Sequence, residues 1–334
     1  MDVLTDLLQR SRARGAAFSH SIVHGEWGLR FGAVPGLAVH VIVDGEMHLW
    51  AADPDHALAL LPGDIVLVRG TVAHHIANAA GARCRPLEQH LAAGPQPGSS
   101  RRFVAGSASD GPAAVFFCGA YMFEGDLCDG LLQALPDLVR LRPAVGSALR
   151  ATTDLLAGEM LRDEPGQQTL LDRLLDVALV QVLREHFKAQ ATAAPAWFRA
   201  MADPPIAAAL RAIHAQPAQR WSVAALANEA KLSRAVFARR FAQQLGVGPL
   251  GYLTQWRMGL ARERLRDTDD GLAAIAQTLG YASEFSFAAA FKRRYGEAPG
   301  RWRTRSRRTH TSERGPQSQP TRVDNASPML SFRP

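Results

Sequence analysis

The side chains in this 334-residue sequence whose types and spacing could do chemistry lie mainly in its last third. Arg234, Arg239 and Arg240 fall on the outer face of one apolar helix pattern, and Lys292, Arg293 and Arg294 close a second. A guanidinium presents a planar fork of donors that matches guanine's major-groove acceptors or a phosphate, and an ammonium holds phosphate as a point charge. The chemistry is therefore recognition of a polyanion. Ser233, Arg234 and Arg239 are the candidates for base or adjacent phosphate contacts, Arg240, Lys292 and Arg293 for phosphate positioning, and Ser283 and Glu284 for a second groove's edge. A thiol is the other reactive candidate. Cys84 stands between Arg83 and Arg85, which would favour its thiolate and make it a redox sensor; the alternative is an ordinary small buried residue. Cys118 sits in an apolar run and is expected in the core, while Cys128, near Asp126 and Asp129, is expected to stay a thiol. Three cysteines form no C-x-x-C pair and no disulfide framework, which suits a reducing compartment.

Positioning those cations takes short helices with defined ends. Ser222 can cap a helix carrying Val223, Leu226, Ala227 and Ala230; Lys231 and Leu232 make a turn, and Ser233 caps a helix with Phe237 and Phe241 inward. The pattern recurs: Leu272, Ile275, Ala276 and Leu279 line a helix, Gly280 turns the chain, and Ser283 caps a helix burying Phe287 and Phe291. A short helix, a tight turn and a basic second helix fit a major groove. Between the units, Pro249 to Arg266 predicts a helix roughly 27 Å long, against roughly 34 Å between successive major-groove faces. Charge follows the same division. Residues 201–334 carry 21 Lys+Arg against 10 Asp+Glu, whereas residues 1–200 carry 17 against 21. The basic half is the half with the repeated unit, as attraction to phosphates requires.

This C-terminal stretch resembles the DNA-binding domain of the AraC/XylS family of transcription activators. The matching residues are WSVAALA (221–227), LSRAVFARRF (232–241), WRMGLARERL (256–265), IAQTLGYAS (275–283) and FKRRYGEAPGRWR (291–303). Two departures stand out. Lys231 takes a turn position where the family usually has a small residue, and Ala288-Ala289-Ala290 replace a stretch where the family commonly has an arginine. The first unit is therefore expected to carry most of the sequence specificity.

Upstream, residues 18–120 read as short strands separated by turns: Leu37–Val43, Glu46–Ala51, Leu58–Leu61, Ile65–Val68 and Val115–Cys118, with Asp44-Gly45 as a hairpin turn and Ala93–Ser100 rich in turn residues. LPGDIVLV (61–68) with AHHIAN (73–78) resembles the second motif of cupin barrels, and the first motif would fall at Gly36–Gly45. EWGLRFGAVPG (26–36) and CGAYMF (118–123) are similar to the cupin sensor domain fused to many AraC-type regulators. Enzymatic cupins present three histidines and a carboxylate from these motifs. Here the resemblance leaves His40, His74 and His75, joined by a cysteine such as Cys118, as a set that could hold a divalent metal, or as ordinary polar residues at strand ends. The thin ligand set argues against an enzyme. A cupin-type metalloenzyme with a vestigial DNA-binding module is the alternative.

From Gly146 the periodicity becomes helical. Leu149, Thr153, Leu156 and Met160 share one face, and a helix over Thr169–Lys188 carries Leu170, Leu171, Leu174, Leu175, Ala178, Leu179, Val182 and Leu183. Such a hairpin must pack on its own barrel or on a second copy, and the resemblance implies a dimer contact. The fold expected is α+β: a cupin-like sensor domain (1–145), a helical hairpin (146–189), a linker (190–204), an all-α domain with tandem helix-turn-helix units (205–304) and a disordered tail (305–334). Met1–Gly15 predicts a short amphipathic helix rather than a signal peptide, and no apolar run could span a bilayer. The expectations are a cytoplasmic, homodimeric regulator of transcription that binds double-stranded DNA, contacts RNA polymerase, avoids membranes, needs no cofactor beyond that metal, and answers to a small-molecule or redox effector.

Overall fold

A computed structural model describes residues 2–10, 19–33, 36–87, 89, 102–111, 113–122, 129–162, 164–190 and 193–313. Cys128, the turn-rich stretch 93–100 and the end of the tail, 314–334, lie outside the described residues. The chain forms two compact units, Met1–Leu260 and Ala261–Pro334.

The first unit opens with helix α1 (Val3–Arg10), whose Val3, Leu4 and Leu7 are buried. Its strands are β1 (Ser19–His24), β2 (Gly28–Phe31), β3 (Gly36–Asp44), β4 (Met47–Trp50), β5 (Leu58–Leu60), β6 (Ile65–Arg69), β7 (His74–Ala77), β8 (Arg85–Pro86), β9 (Arg102–Ala105), β10 (Ala113–Met122) and β11 (Leu138–Leu141). They form a six-stranded sheet of order β11-β6-β3-β10-β1-β9 and a five-stranded sheet of order β5-β4-β7-β2-β8. The apolar run of β3 is nearly unbroken because both its faces are covered, a pattern expected of strands buried on two sides. Leu37, Val39 and Val41 face helices, whereas Ala38, Ile42 and, from β6, Val66 and Val68 join Leu29, Met47, Leu49 and Ile76 of the other sheet. The expected hairpin at Asp44-Gly45 is not one. Gly45 (φ 76°) turns the chain, but β3 pairs with β6 and β10 while β4 pairs with β5 and β7. The turn thus passes the chain between sheets.

A short helix α2 (Asp129–Gln133) precedes β11, and the helical hairpin follows as α3 (Ala148–Met160) and α4 (Gln167–Ala189). Its apolar face is spent within the chain: Leu149, Leu156, Met160, Leu171, Leu175, Leu179, Val182 and Leu183 share one core with Val39, Leu67, Phe117 and Tyr121 of the six-stranded sheet. Leu170, expected on that face, is exposed instead, as are Leu155, Leu161 and Val177. The expected linker carries a helical turn of its own among its described residues. Ala194 and Ala200 are buried, Ala196–Ala200 forms helix α5, and Asp203 caps α6 (Pro204–Ala215) through Ile206 N–H at 3.5 Å. Helices α7 (Val223–Glu229), α8 (Arg234–Leu245) and α9 (Pro249–Asp267) follow.

The second unit holds the end of α9, then α10 (Leu272–Thr278), α11 (Glu284–Tyr295) and α12 (Pro299–Glu313) around Ile275, Phe287, Phe291 and Trp302. The tail expected to be disordered from Arg305 is helical through Glu313, because Pro299 starts a helix there and Arg305 pairs with Glu297 and Arg307 with Asp269.

Candidate nucleic-acid interface and the histidine pair of the β-domain

In the first helix-turn-helix, Ser222 Oγ accepts from Ala225 N–H at 3.0 Å and Ser233 Oγ from Val236 N–H at 3.4 Å, so each serine satisfies an orphan donor of its helix. Lys231 between them is left-handed (φ 53°), the one non-glycine residue of positive φ among the described residues. Leu232 N–H closes the turn on Ala227 O at 3.0 Å. Phe237 and Phe241 lock α8 from beneath, their rings edge to face with centroids 5.5 Å apart. The opposite face presents Arg234 and Arg239, both exposed and without an ion pair among the described residues. Arg240 differs from the sequence expectation. Its Nε donates to Asp203 Oδ2 at 2.6 Å, and Gln244 donates to the same carboxylate. A guanidinium bound through Nε to the cap of α6 holds α8 in place, with its side chain 45% exposed.

The second helix-turn-helix repeats the plan with different chemistry. Gly280 (φ 75°) makes the turn, and Tyr281 N–H donates to Ala276 O at 2.9 Å. Ser283 and Ser286 form a capping box, each side chain accepting from the other's backbone N–H at 3.2 Å. Ser283 Oγ is thus engaged in holding the helix start, and Glu284 beside it is partly exposed. Lys292 and Arg293 are exposed without ion pairs among the described residues. Of the three alanines, Ala290 is buried and Ala289 is exposed. One exposed side chain on this helix, Phe285, was not singled out by the sequence reading. The signal was present, since Phe285 lies about 200° around the helix from the inward Phe287.

In the β-domain, His40 of β3, His74 of β7 and Cys118 of β10 meet between the sheets. His40 Nδ1 lies 3.0 Å from Cys118 Sγ, and its Nε2 lies 2.8 Å from His74 Nε2. Phe31 stacks on His74 at 4.9 Å and meets His40 edge-on at 5.0 Å. Burial holds all three groups neutral: His40 is pushed well below the ordinary histidine range, His74 down to about 4, and the Cys118 thiol well above its usual value. With the rings neutral, the Val72 carbonyl, which can only accept, fixes the direction of the chain. The thiol donates to His40 Nδ1, His40 Nε2–H donates to His74 Nε2, and His74 Nδ1–H faces Val72 O at 3.4 Å.

His75 does not join them. Alternation along β7 sends it to the opposite face, where it stacks on Trp50 at 5.3 Å and faces Ala51 O at 3.1 Å. The expected trio is therefore a pair. A cupin metal does not fit it. Two nitrogens on one zinc would stand about 3.3 Å apart, farther than the 2.8 Å hydrogen bond observed. Cys118 lies on the far side of the His40 ring, and no cluster of three His, Cys, Asp or Glu that could hold a metal occurs among the described residues. Cys84 also departs from expectation: partial burial raises its pKa, and its Sγ donates to Ala82 O at 3.3 Å, so neighbouring arginines do not make it a thiolate.

A further contact had no local sequence signal. Asp6 of α1 and His214 of α6 are buried and joined at 2.8 Å, and the other imidazole nitrogen lies 2.9 Å from Tyr252 Oη of α9. Trp256 covers the ring at 4.0 Å.

Two capped second helices with exposed cations, each behind a short helix and a tight turn, define a helix-turn-helix DNA-binding module. Comparison with known proteins agrees. The family described as Cupin matches residues 2–188, and that described as Helix-turn-helix domain matches residues 226–305. A protein of Streptomyces antibioticus named as an AraC-like transcription regulator is 33% identical over 312 residues, 91% of this chain and 98% of its own length. The HTH-type transcriptional regulator AlkR of Acinetobacter baylyi is 29% identical over 313 residues, covering 92% of this chain and all of the relative. The DNA-binding domain of AdpA, solved in complex with a target DNA, is 28% identical over 33% of this chain and 97% of that one, with a TM-score of 0.31. This chain belongs to the AraC-like transcription regulators, with a cupin domain before the helix-turn-helix units. It is a DNA-binding transcription regulator. No helix among the described residues is long and apolar enough to cross a membrane.

Proposed function

We propose that this regulator reads its operator chiefly with α8 and is governed by a small effector at its β-domain. The observation that carries the reading is the contrast among three arginines of one helix: Arg240 is bound to Asp203, while Arg234 and Arg239 face outward without ion pairs among the described residues. Arg234 and Arg239 take base or adjacent phosphate contacts, and Lys292 and Arg293 hold phosphates. Residues 1–145 form the sensor, 146–189 its helical hairpin, and 205–304 the DNA-binding part. The Asp6–His214–Tyr252 contact supports coupling, because an effector that shifts α1 acts directly on α6 and α9. The Cys84 thiol gives a redox effector little support, so a small molecule is favoured. The regulator acts in the cytoplasm as a homodimer, addresses RNA polymerase and catalyses no reaction, in keeping with relatives named as transcription regulators.

The experiment is selection of binding sites from random duplexes by the full chain, followed by affinity against salt concentration. The expected result is an enriched motif whose base preferences narrow to fewer positions in Arg239→Ala. Recovery of no motif, with turnover of a substrate in the absence of DNA, overturns the reading in favour of a cupin enzyme.

A further inference from the structure

Phe285 is 78% exposed, the one aromatic among the exposed large apolar side chains of the described residues. A single exposed apolar residue is ordinary, but the setting of this one is not. It is the second residue of α11, whose inward face is already filled by Phe287, Ala290 and Phe291. Helical spacing puts Ala289, Lys292 and Arg293 on its own side, four, seven and eight residues on. That face is apolar at the start of the helix and cationic at its end, and the capping box engages Ser283 and Ser286. Its start, from Phe285 to Ala289, lacks the guanidinium or amide that would bond a base edge bidentately. The cations favour a polyanion, and the apolar feature that a major groove offers is the C5 methyl group of thymine.

We infer that Phe285 is a specificity-determining residue that reads a thymine methyl group, with Lys292 and Arg293 fixing the helix on the phosphates. The inference rests on the reading that α11 enters a major groove. The first unit, by contrast, offers guanidinium groups to guanine. The two units therefore read different bases by different physics.

The test uses the tightest duplex that the full chain recovers from a random library, with each thymine replaced in turn by uracil, which removes the methyl group alone. For the unmodified chain, one or two positions should lose about fourfold in affinity, the worth of one buried methyl group at about 0.8 kcal/mol. In Phe285→Ala those positions should become indifferent to uracil while the other positions keep their response, and Phe285→Leu should restore the sensitivity in part. Phe285 is exposed, so each variant should melt with the unmodified chain. If no position has a methyl sensitivity that depends on Phe285, the inference is overturned. When Lys292→Ala and Arg293→Ala still weaken binding and flatten its salt dependence in that case, α11 remains on the DNA and only the methyl reading fails. When those two changes also do nothing, the placement of α11 on DNA falls with it, while the role of α8 is judged separately by Arg239→Ala.

Discussion

Removing the Asp6 carboxylate should loosen the attachment of the N-terminal helix to α6 and α9, the helices that flank the first helix-turn-helix. Asp6 and His214 are 2.8 Å apart with side chains 1% and 0% exposed, and Trp256 covers the imidazole, so water does not replace a lost partner. Leaving a buried hydrogen-bonding group unsatisfied by deleting its partner typically costs about 1–3 kcal/mol, because the remaining group keeps its desolvation penalty. Asp6→Ala should therefore destabilise the first unit by about that amount. Asp6→Asn keeps an oxygen that can accept from His214 Nδ1–H, and should cost about 1 kcal/mol, the worth of one ordinary hydrogen bond. Urea denaturation of the full chain followed by tryptophan fluorescence reads both, since Trp256 lies against His214. The reasoning is refuted if Asp6→Ala shifts stability by less than about 0.5 kcal/mol, or if Asp6→Asn proves as damaging as Asp6→Ala. Either result would mean that the apolar side of α1 (Val3, Leu4 and Leu7) does the attaching alone.

Acid should weaken the β-domain through His74, whose folded pKa is about 4 against an ordinary 6.5. The unfolded chain takes up a proton there first, so stability is full above pH 6.5 and falls by about 3 kcal/mol as the pH drops to 4; denaturation of His74→Leu should show a flatter slope in that window. Arg239→Ala should cost about 1–3 kcal/mol of binding to the selected duplex and relax one base preference. Arg240→Ala should instead lower the melting temperature through Asp203 and leave base preference unchanged, which a parallel binding and melting series would check. Lys231→Val should destabilise the first helix-turn-helix by about 1–2 kcal/mol, since a β-branched residue tolerates φ 53° poorly; a melting curve unchanged from the parent would refute the strain.

What the sequence made legible was whatever depends on neighbours along the chain. Ser222, Ser233 and Ser283 cap helices, Phe237, Phe241, Phe287 and Phe291 face inward, and Gly280 turns, because capping and periodicity act within a few residues. The features that escaped depend on distant groups. Asp44-Gly45 has the chemistry of a hairpin, yet which strands flank β3 is decided by β10 and β6, far away in sequence. Arg240 looked like Arg239 until Asp203, 37 residues earlier, came within reach. The charges beside Cys84 pointed one way and its burial the other, and burial prevailed. The separation of His75 from His74 was open to reading, since adjacent strand residues face opposite sides.

The Asp6–His214 contact also sets an order of events during synthesis. The two residues are 208 positions apart. At about 5–20 residues per second, the carboxylate is made roughly 10–40 s before its imidazole. Tyr252, which holds the other nitrogen, comes later still. The β-sheets can assemble in that interval, but Asp6 must wait in water. A nascent chain halted before residue 214 therefore carries every strand of the β-domain while Asp6 of α1 still lacks its imidazole partner.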